Sequence, residues 1–309
     1  MPSWNVQHTG FLRKNTAKTV PTRLMTTTTI DYFADVDAIV QLALQEDVGA
    51  ESAQHGDVTA QLIPENHTAE AVVITREPAI VCGRPWFDAV FRQLDPSINV
   101  EWLVEEGQQV APNDPLVRLS GNTRVLLTGE RTALNFLQTL MGTATTTSHY
   151  ATLFAGTKTH ILDTRKTLPG LRLAQKYAVS IGGGRNHRVG LYDAFLIKEN
   201  HIAACGSILS AVKNARTLNP HLQVEVEVET LAELEEALQS KADIIMLDNF
   251  DAGMVEQAVA LKTGDVLYEI SGNIDLASAG KQPLAGVDRV SSGALTKHCR
   301  AVDLSMRFR

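Results

Sequence analysis

Cysteine is scarce in this chain: Cys82, Cys205 and Cys299 are odd in number, far apart and outside any C-x-x-C pair. Neither a disulfide framework nor a zinc cluster is suggested, and a reducing compartment fits. Long apolar runs are missing too. No window approaches the roughly 18 consecutive apolar residues of a membrane span, and the first residues lack the apolar core of a secretory signal. A cytoplasmic protein with no membrane partner is expected. Positive charge is also in deficit, with 28 Lys and Arg against 35 Asp and Glu and a formal net charge of −7. Nucleic-acid binders need basic surface to displace counterions, so no nucleic-acid partner is expected, and any positive site must be local. A nucleotide fingerprint is absent as well. Gly182-Gly183-Gly184 follows a helical stretch, lacks the G-x-x-x-x-G-K-[ST] arrangement, and reads as a flexible loop presenting Asn186, His187 and Arg188.

What is present is enough apolar sequence, 44% of 309 residues, to bury one large or two ordinary cores. Residues 1–30 stand apart as an extension. They carry Arg13, Lys14, Lys18 and Arg23, run through Thr26 to Thr29, and hold no acid before Asp31. That composition suits an organelle transit peptide, a disordered extension, or translation from Met25.

From Val36 to Leu44 the apolar residues follow helical spacing, and an extended run, Ala69 to Cys82, comes next. Arg84 to Leu94 reads as helix and Ile98 to Val104 as extended, with turns at Glu105-Glu106-Gly107 and Pro112-Asn113-Asp114-Pro115. Ala133, Phe136, Leu137, Leu140 and Ala144 mark an amphipathic helix between Arg131 and Phe154, and the domain change is placed in or just after it. Short apolar strands then alternate with helices: 161–162, 195–197, 224–228, 244–247, 266–270 and 287–290. Thr230 to Glu233 is a capping box and Asp251 an N-cap. This βα period predicts parallel strands with crossover helices, either an incomplete barrel or a doubly wound sheet.

Polar residues gather where those strands end. The first runs into Asp163-Thr164-Arg165-Lys166, the second into Lys198, the fourth into Asp248-Asn249, the fifth into Ser271-Gly272-Asn273 and the last into Ser291-Ser292-Gly293. One such end is an ordinary solvated loop, but repetition over several strands predicts an active site at the carboxyl ends. Arg165, Lys166, Arg172, Lys176, Arg185, His187, Arg188 and Lys198 form a local basic excess in an acidic protein. A small polyanionic substrate is the economical partner; Lys176, with Arg172, reads instead as a solvated helix face. Val224 to Glu229 alternates strictly, so Glu225, Glu227 and Glu229 share one face of a strand. If that face is interior, a cation must be near at least one of them; otherwise it is a wet edge. Glu227 and Asp248 together could hold Mg²⁺ or sugar hydroxyls. The Gly-containing turns at 271–273 and 292–294 suit a phosphate monoester.

Several of these stretches match a known family. Gly129 to Asn135, Asp163 to Thr167 with Pro169-Gly170, Asn186-His187-Arg188, Leu196 to His201, Glu225-Val226-Glu227, Leu247-Asp248-Asn249, Ser271 to Asn273 and Gly293 to Lys297 closely resemble quinolinate phosphoribosyltransferase. The resemblance runs in order from about Asp35 to Phe308 and leaves out the first thirty residues. It implies an N-terminal α/β sandwich domain over 31–142, which residues 297–309 could join, and an incomplete parallel α/β barrel over 143–296. It implies transfer of a phosphoribosyl group from phosphoribosyl pyrophosphate to quinolinate, with loss of CO₂, on the way to NAD. It also implies a homodimer in which Arg131 completes the neighbouring subunit's site. By the same resemblance, Thr164, Arg165, Lys166, His187, Arg188 and Lys198 line the space for quinolinate's carboxylates and the pyrophosphate. Glu227 and Asp248 face ribose and Mg²⁺, and Ser271, Gly272, Asn273, Ser292, Gly293 and Ala294 form the 5′-phosphate turns. Lys166, Lys198, Glu227 and Asp248 are the expected catalytic set. Two alternatives stay open: another aromatic acid on the same scaffold, told apart by CO₂ release, and a non-catalytic sensor of phosphorylated ligands.

Overall fold

The computed structural model describes residues 30–49, 56–272, 274–282 and 285–309, so most of the extension, and Asn273, lie outside the described residues. Helix α1 (Val36–Val48) buries Val36, Val40 and Leu44, one residue per turn. The extended run breaks at Pro78, which offers no N–H to a ladder. It leaves β1 (Thr68–Thr75) and β2 (Ala79–Ile80) in different sheets. Helix α2 (Arg84–Leu94) starts on Pro85 and buries Trp86, Phe87, Val90 and Phe91. After β3 (Asn99–Trp102) and β4 (Gln109–Val110), which pairs with β2, comes β5 (Pro115–Asn122). The larger sheet has the order β12-β1-β5-β3 and is antiparallel throughout; β12 (Leu304–Phe308) returns from the far end of the chain to pair with β1, Val73 opposite Met306. Ala71, Val73, Val117 and Leu119 of this sheet share one core with Trp86, Phe87 and Phe91 of α2, making an α/β sandwich.

Helix α3 (Thr123–Leu153) has 31 residues, about 46 Å at 1.5 Å per residue. It begins eight residues before Arg131, where the helix was expected to start, because the Asn122 side chain caps it, accepting from the N–H of Arg124 and Val125. In its threonine-rich second half the hydroxyls are satisfied within the helix by bonding one turn back: Thr147 to the Thr143 carbonyl and Thr152 to the Ser148 carbonyl, each 2.8 Å. Leu134, Leu137 and Leu140 belong to the N-terminal core, whereas Tyr150 belongs to the second one. The helix therefore passes without a break through the expected boundary at 142/143.

The second unit is a six-stranded sheet in the order β6-β11-β10-β9-β8-β7, parallel throughout. Its strands are β6 (His160–Leu162), β7 (Ala194–Ile197), β8 (Gln223–Val228), β9 (Ile244–Asp248), β10 (Leu267–Ser271) and β11 (Arg289–Ser291). Between β6 and β7 stands α4 (Arg172–Ile181). α5 (Glu199–Cys205) and α6 (Ile208–Leu218) follow β7, and α7 (Leu231–Ser240), α8 (Ala252–Leu261), α9 (Leu276–Ala279) and α10 (Ala294–Lys297) complete the crossovers. The Thr230–Glu233 capping box and the Asp251 cap both form. Val224, Val226 and Val228 lie in the core under the helices, with Val212 and Leu234. Glu225 and Glu227 therefore face the inside, whereas Glu229 lies just past the end of the strand and is exposed. Six strands, with the two edges β6 and β7 consecutive in the chain, make an incomplete barrel open between them. Arg185 partly fills that opening by bridging to Leu162 as a short parallel extension.

Gly182 to Gly184 departs from the flexible loop expected. A Cβ at Gly182 would lie 2.4 Å from the Ala144 carbonyl oxygen of α3, and one at Gly184 would lie 2.8 Å from both Thr147 and Val179. The glycines are there so that this turn can press against the long helix.

Candidate active site

The site is built on the carboxyl ends of the parallel strands. β6 ends in Asp163, which is fully buried. Its carboxylate accepts from Lys176 Nζ (2.5 Å), the Asn186 side-chain amide (2.7 Å) and the His187 backbone N–H (2.9 Å). Lys176 also donates to the His187 carbonyl (2.9 Å) and has no exposed surface. The solvated helix face expected for Lys176 is thereby corrected. Its side chain points inward because Asp163 and the turn carbonyl take its donors, whereas a lone buried ammonium would be untenable. Burial pushes the Asp163 carboxyl up and the Lys176 ammonium down, and their mutual contact offsets both shifts. Arg172 is half-buried and donates to Thr167 and to the Val189 carbonyl.

Beyond Asp163, the Thr164 hydroxyl accepts the Lys166 N–H (3.0 Å) and Thr296 donates to the Lys166 carbonyl (2.8 Å). The Lys166 stem lies on Gly293, where a Cβ would come within 2.7 Å of Lys166 Cδ. The β6 and β11 loops are thus locked together. Arg165 and Lys166 are exposed at this rim. Arg188, half-buried, donates to the Ala194 carbonyl (3.2 Å). Its guanidinium is held below its ordinary value, first by burial and then by the nearby Arg165, with Glu225 and Asp193 opposing the shift, so Arg165 and Arg188 form a pair of converging like charges. Such a pair suits a carboxylate or phosphate.

After β7, Lys198 stands at the N-terminal boundary of α5, its backbone N–H donating to His201 Nδ1 (3.0 Å), and its ammonium meets Glu227 at 2.5 Å. Burial raises the Glu227 carboxyl, Lys198 lowers it, and Asp248 and Glu199 raise it again. Glu227 and Asp248 are therefore close enough to repel. Asp248 accepts from the Asn249 side chain (2.7 Å). Asn249 has φ 55° and gives its N–H to the Ser271 carbonyl; a Cβ at Gly272 would sit 2.3 Å from its side-chain oxygen, so that turn needs glycine. The buried Ser292 hydroxyl donates to the Ile274 carbonyl and accepts the Ala294 N–H (3.2 Å). It ties the last two loops together and is not left free for a ligand. Asn273 is outside the described residues.

Two expected residues sit apart from this rim. His187 turns its ring inward: Nε2 is 2.9 Å from Glu225 and 3.5 Å from Glu269, and Nδ1 accepts the Arg188 N–H (2.8 Å). Both ring nitrogens face protein, where the resemblance implied substrate. Arg131 is exposed on α3 and makes no hydrogen bond or ion pair among the described residues; it acts on the neighbouring Glu130 only as a nearby charge. Glu269 was not anticipated, although a single acid inside the apolar run 266–270 is a signal of its own.

A parallel barrel whose rim sets lysines and arginines against a carboxylate pair belongs to the class of barrel enzymes that handle small phosphorylated anions. Comparison with known proteins narrows this. Residues 57–141 match the N-terminal domain, and residues 143–307 the C-terminal domain, of the family described as quinolinate phosphoribosyl transferase. The chain belongs to that family. It is 41% identical to the chloroplastic carboxylating nicotinate-nucleotide pyrophosphorylase of Arabidopsis thaliana, over 89% of this chain and 83% of that protein. With the probable carboxylating nicotinate-nucleotide pyrophosphorylase of Synechocystis the identity is 40%, over 88% and 92%. The solved structure of the nicotinate-nucleotide pyrophosphorylase from Francisella tularensis superposes with a TM-score of 0.86 at 47% identity, covering 91% of this chain and 98% of that one. Among the described residues no helix is long and apolar enough to cross a membrane.

Proposed function

We propose that this chain joins the phosphoribosyl group of phosphoribosyl pyrophosphate to the ring nitrogen of quinolinate and releases pyrophosphate and CO₂, giving nicotinate mononucleotide for NAD synthesis. The observation that carries this reading is the division of the rim. Arg165, Lys166 and Arg188 carry no ion pair among the described residues, while the Glu227–Asp248 pair holds Lys198 against Glu227 at 2.5 Å. A dicarboxylate ring and a diphosphate need the cations, and a ribose gaining positive charge at its anomeric carbon needs the acids.

The ring nitrogen bonds to that carbon as its bond to the pyrophosphate oxygen breaks. Lys166 and Lys198 neutralise the departing charge, and Glu227 and Asp248 face the cationic sugar. The alkylated nitrogen then draws the electron pair of the adjacent C–CO₂ bond, CO₂ leaves, and a proton fills the vacated carbon. No protein nucleophile is required. Two carboxylates on neighbouring strand ends fit Mg²⁺, a hard cation that takes one or two carboxylates and keeps its waters and phosphate oxygens. Glu227 and Asp248 would hold it, and bound there it supplies charge neutralisation on the diphosphate. The turns at Ser271, Gly272 and Asn273 and at Ser292, Gly293 and Ala294 are assigned to the 5′-phosphate, Thr164 to shaping the Lys166 loop, and Arg188 to a ring carboxylate. Arg131, exposed and without an ion pair among the described residues, is assigned to the neighbouring site of a homodimer. A cytoplasmic location rests on the three free cysteines.

The test is direct: purified protein with Mg²⁺, quinolinate and phosphoribosyl pyrophosphate should yield CO₂ and pyrophosphate in equal amounts. Pyrophosphate from nicotinate instead, with no CO₂ from quinolinate, would give the scaffold to a different aromatic acid.

A further inference from the structure

Inside the barrel, below the rim, three ionisable side chains meet. Glu225 comes from β8, Glu269 from β10, and His187 from the chain segment that runs along the free edge of β6. Glu269 has no exposed surface, and neither of its carboxylate oxygens has a hydrogen-bond partner among the described residues; Ser291 on the next strand comes near without making one. One oxygen of Glu225 is likewise without a partner. Retaining two such acids is unfavourable for stability, because a buried carboxyl without full pairing costs several kcal/mol. The surrounding cations do not remove that cost. Lys176 is committed to Asp163, Arg289 on β11 acts on Glu269 only as a nearby charge, and Arg188 acts on Glu225 in the same way. Among the described residues, the one group that both acids pair with is the His187 ring.

The ring is oriented from its other side as well. The Arg188 N–H donates to Nδ1, which leaves the ring proton on Nε2, the nitrogen that lies 2.9 Å from Glu225 and 3.5 Å from Glu269, in ion-pair contact although not in hydrogen-bond alignment with either. We propose that Glu225 and Glu269 are positioning residues for the aromatic acid: from inside the barrel they fix the orientation and tautomer of His187, and through it the backbone that sets Arg188 at the rim. This rests on the function proposed above. Burial, and then the neighbouring Glu225, lift the Glu269 carboxyl to about 7. Burial lowers His187, but the two acids outweigh it and bring the ring to about 9. A second ring proton would have to displace the Arg188 N–H from Nδ1, so the geometry favours keeping the extra proton on Glu269.

The test uses the full-length enzyme after wild type has been assayed for CO₂ release from quinolinate, so that failure of the functional reading registers separately. Replacing Glu269→Leu removes an incompletely paired buried acid, and a purely structural role predicts equal or higher thermal stability with unchanged kinetics. The expectation here is different. Stability holds while the KM for quinolinate rises about tenfold, a moderate effect for a displaced contact, and the KM for phosphoribosyl pyrophosphate stays within about twofold. Glu269→Gln, which can still accept the Nε2 proton, should restore most of the affinity. Ring ¹⁵N shifts of His187, assigned by its loss in His187→Gln, should report the Nε2–H form in wild type and in Glu269→Gln, and a tautomer mixture in Glu269→Leu. Should Glu269→Leu not fold, Glu269→Met fills the same space and carries the test. Unchanged quinolinate KM in a folded apolar variant, an equal rise in both KM values, or an unchanged tautomer would overturn the proposal. So would a stoichiometric divalent metal that is lost with Glu269, since His187 would then be a metal ligand.

Discussion

At the scale of single residues, the rim and the layer beneath it should answer differently to mutation. Lys166→Ala and Lys198→Ala each remove one cation from the departing charge, so kcat should fall on the order of 10²–10³ with the thermal transition nearly unchanged. Near-normal turnover in folded Lys166→Ala protein would contradict its role. Asp248→Asn should raise the Mg²⁺ and phosphoribosyl pyrophosphate concentrations needed for half-maximal rate, leaving quinolinate binding little affected; the reverse pattern in titrations would reassign it. Lys176→Met strands the Asp163 carboxylate, and breaking a buried pair from one side costs about 3–5 kcal/mol, to be read from denaturant unfolding. An Asp163→Asn change in the same chain should recover part of that loss. Arg165, Lys166, Lys198 and Asp248 were legible in the sequence because each ends or follows a short apolar strand, and Arg188 because it belongs to a local basic excess. Lys176 was not: on its helix it has the spacing of a surface residue, and only the fold brings the Asp163 carboxylate from the end of β6 and the His187 carbonyl from the next turn over it. His187 could be placed at the site but not oriented, since the direction of an imidazole depends on acids that arrive from strands far along the chain.

At the scale of elements, periodicity located the strands and helices, and contacts between them decided the rest. All six barrel strands lie where short apolar runs alternate with helical ones, because a strand buried on one face by helices must be apolar there. The interior face was visible in the Val–Glu alternation of β8, although only the fold makes it an inside rather than a wet edge. The glycine turn after α4 was misjudged for the opposite reason: composition reports freedom, and close packing against α3 removes it. Gly182→Ala puts a methyl group against a helix carbonyl and should destabilise by about 1–3 kcal/mol in thermal or denaturant unfolding. Because the turn leads into Asn186 and Arg188, the same variant should bind quinolinate more weakly. A variant with wild-type stability would show that the turn can move away at no cost.

At the scale of the whole molecule, Arg131 gives a prediction that no single chain can satisfy. Mixing inactive Arg131→Ala with inactive Lys166→Ala subunits should restore activity if sites are shared, because a mixed dimer contains one site with both residues intact. Subunit exchange verified by mass, with no recovered turnover, would leave Arg131 a local surface residue. The pairing of β12 with β1 has a consequence of another kind, in the timing of synthesis. β1 leaves the ribosome early, but its partner follows roughly 230 residues later, which at ordinary elongation rates is about 10–50 s. Throughout that interval β1 presents an open strand edge, the kind of surface that recruits foreign strands. The first domain to be made is thus the last to be finished, and newly made chains should be most prone to aggregate before the ribosome delivers β12.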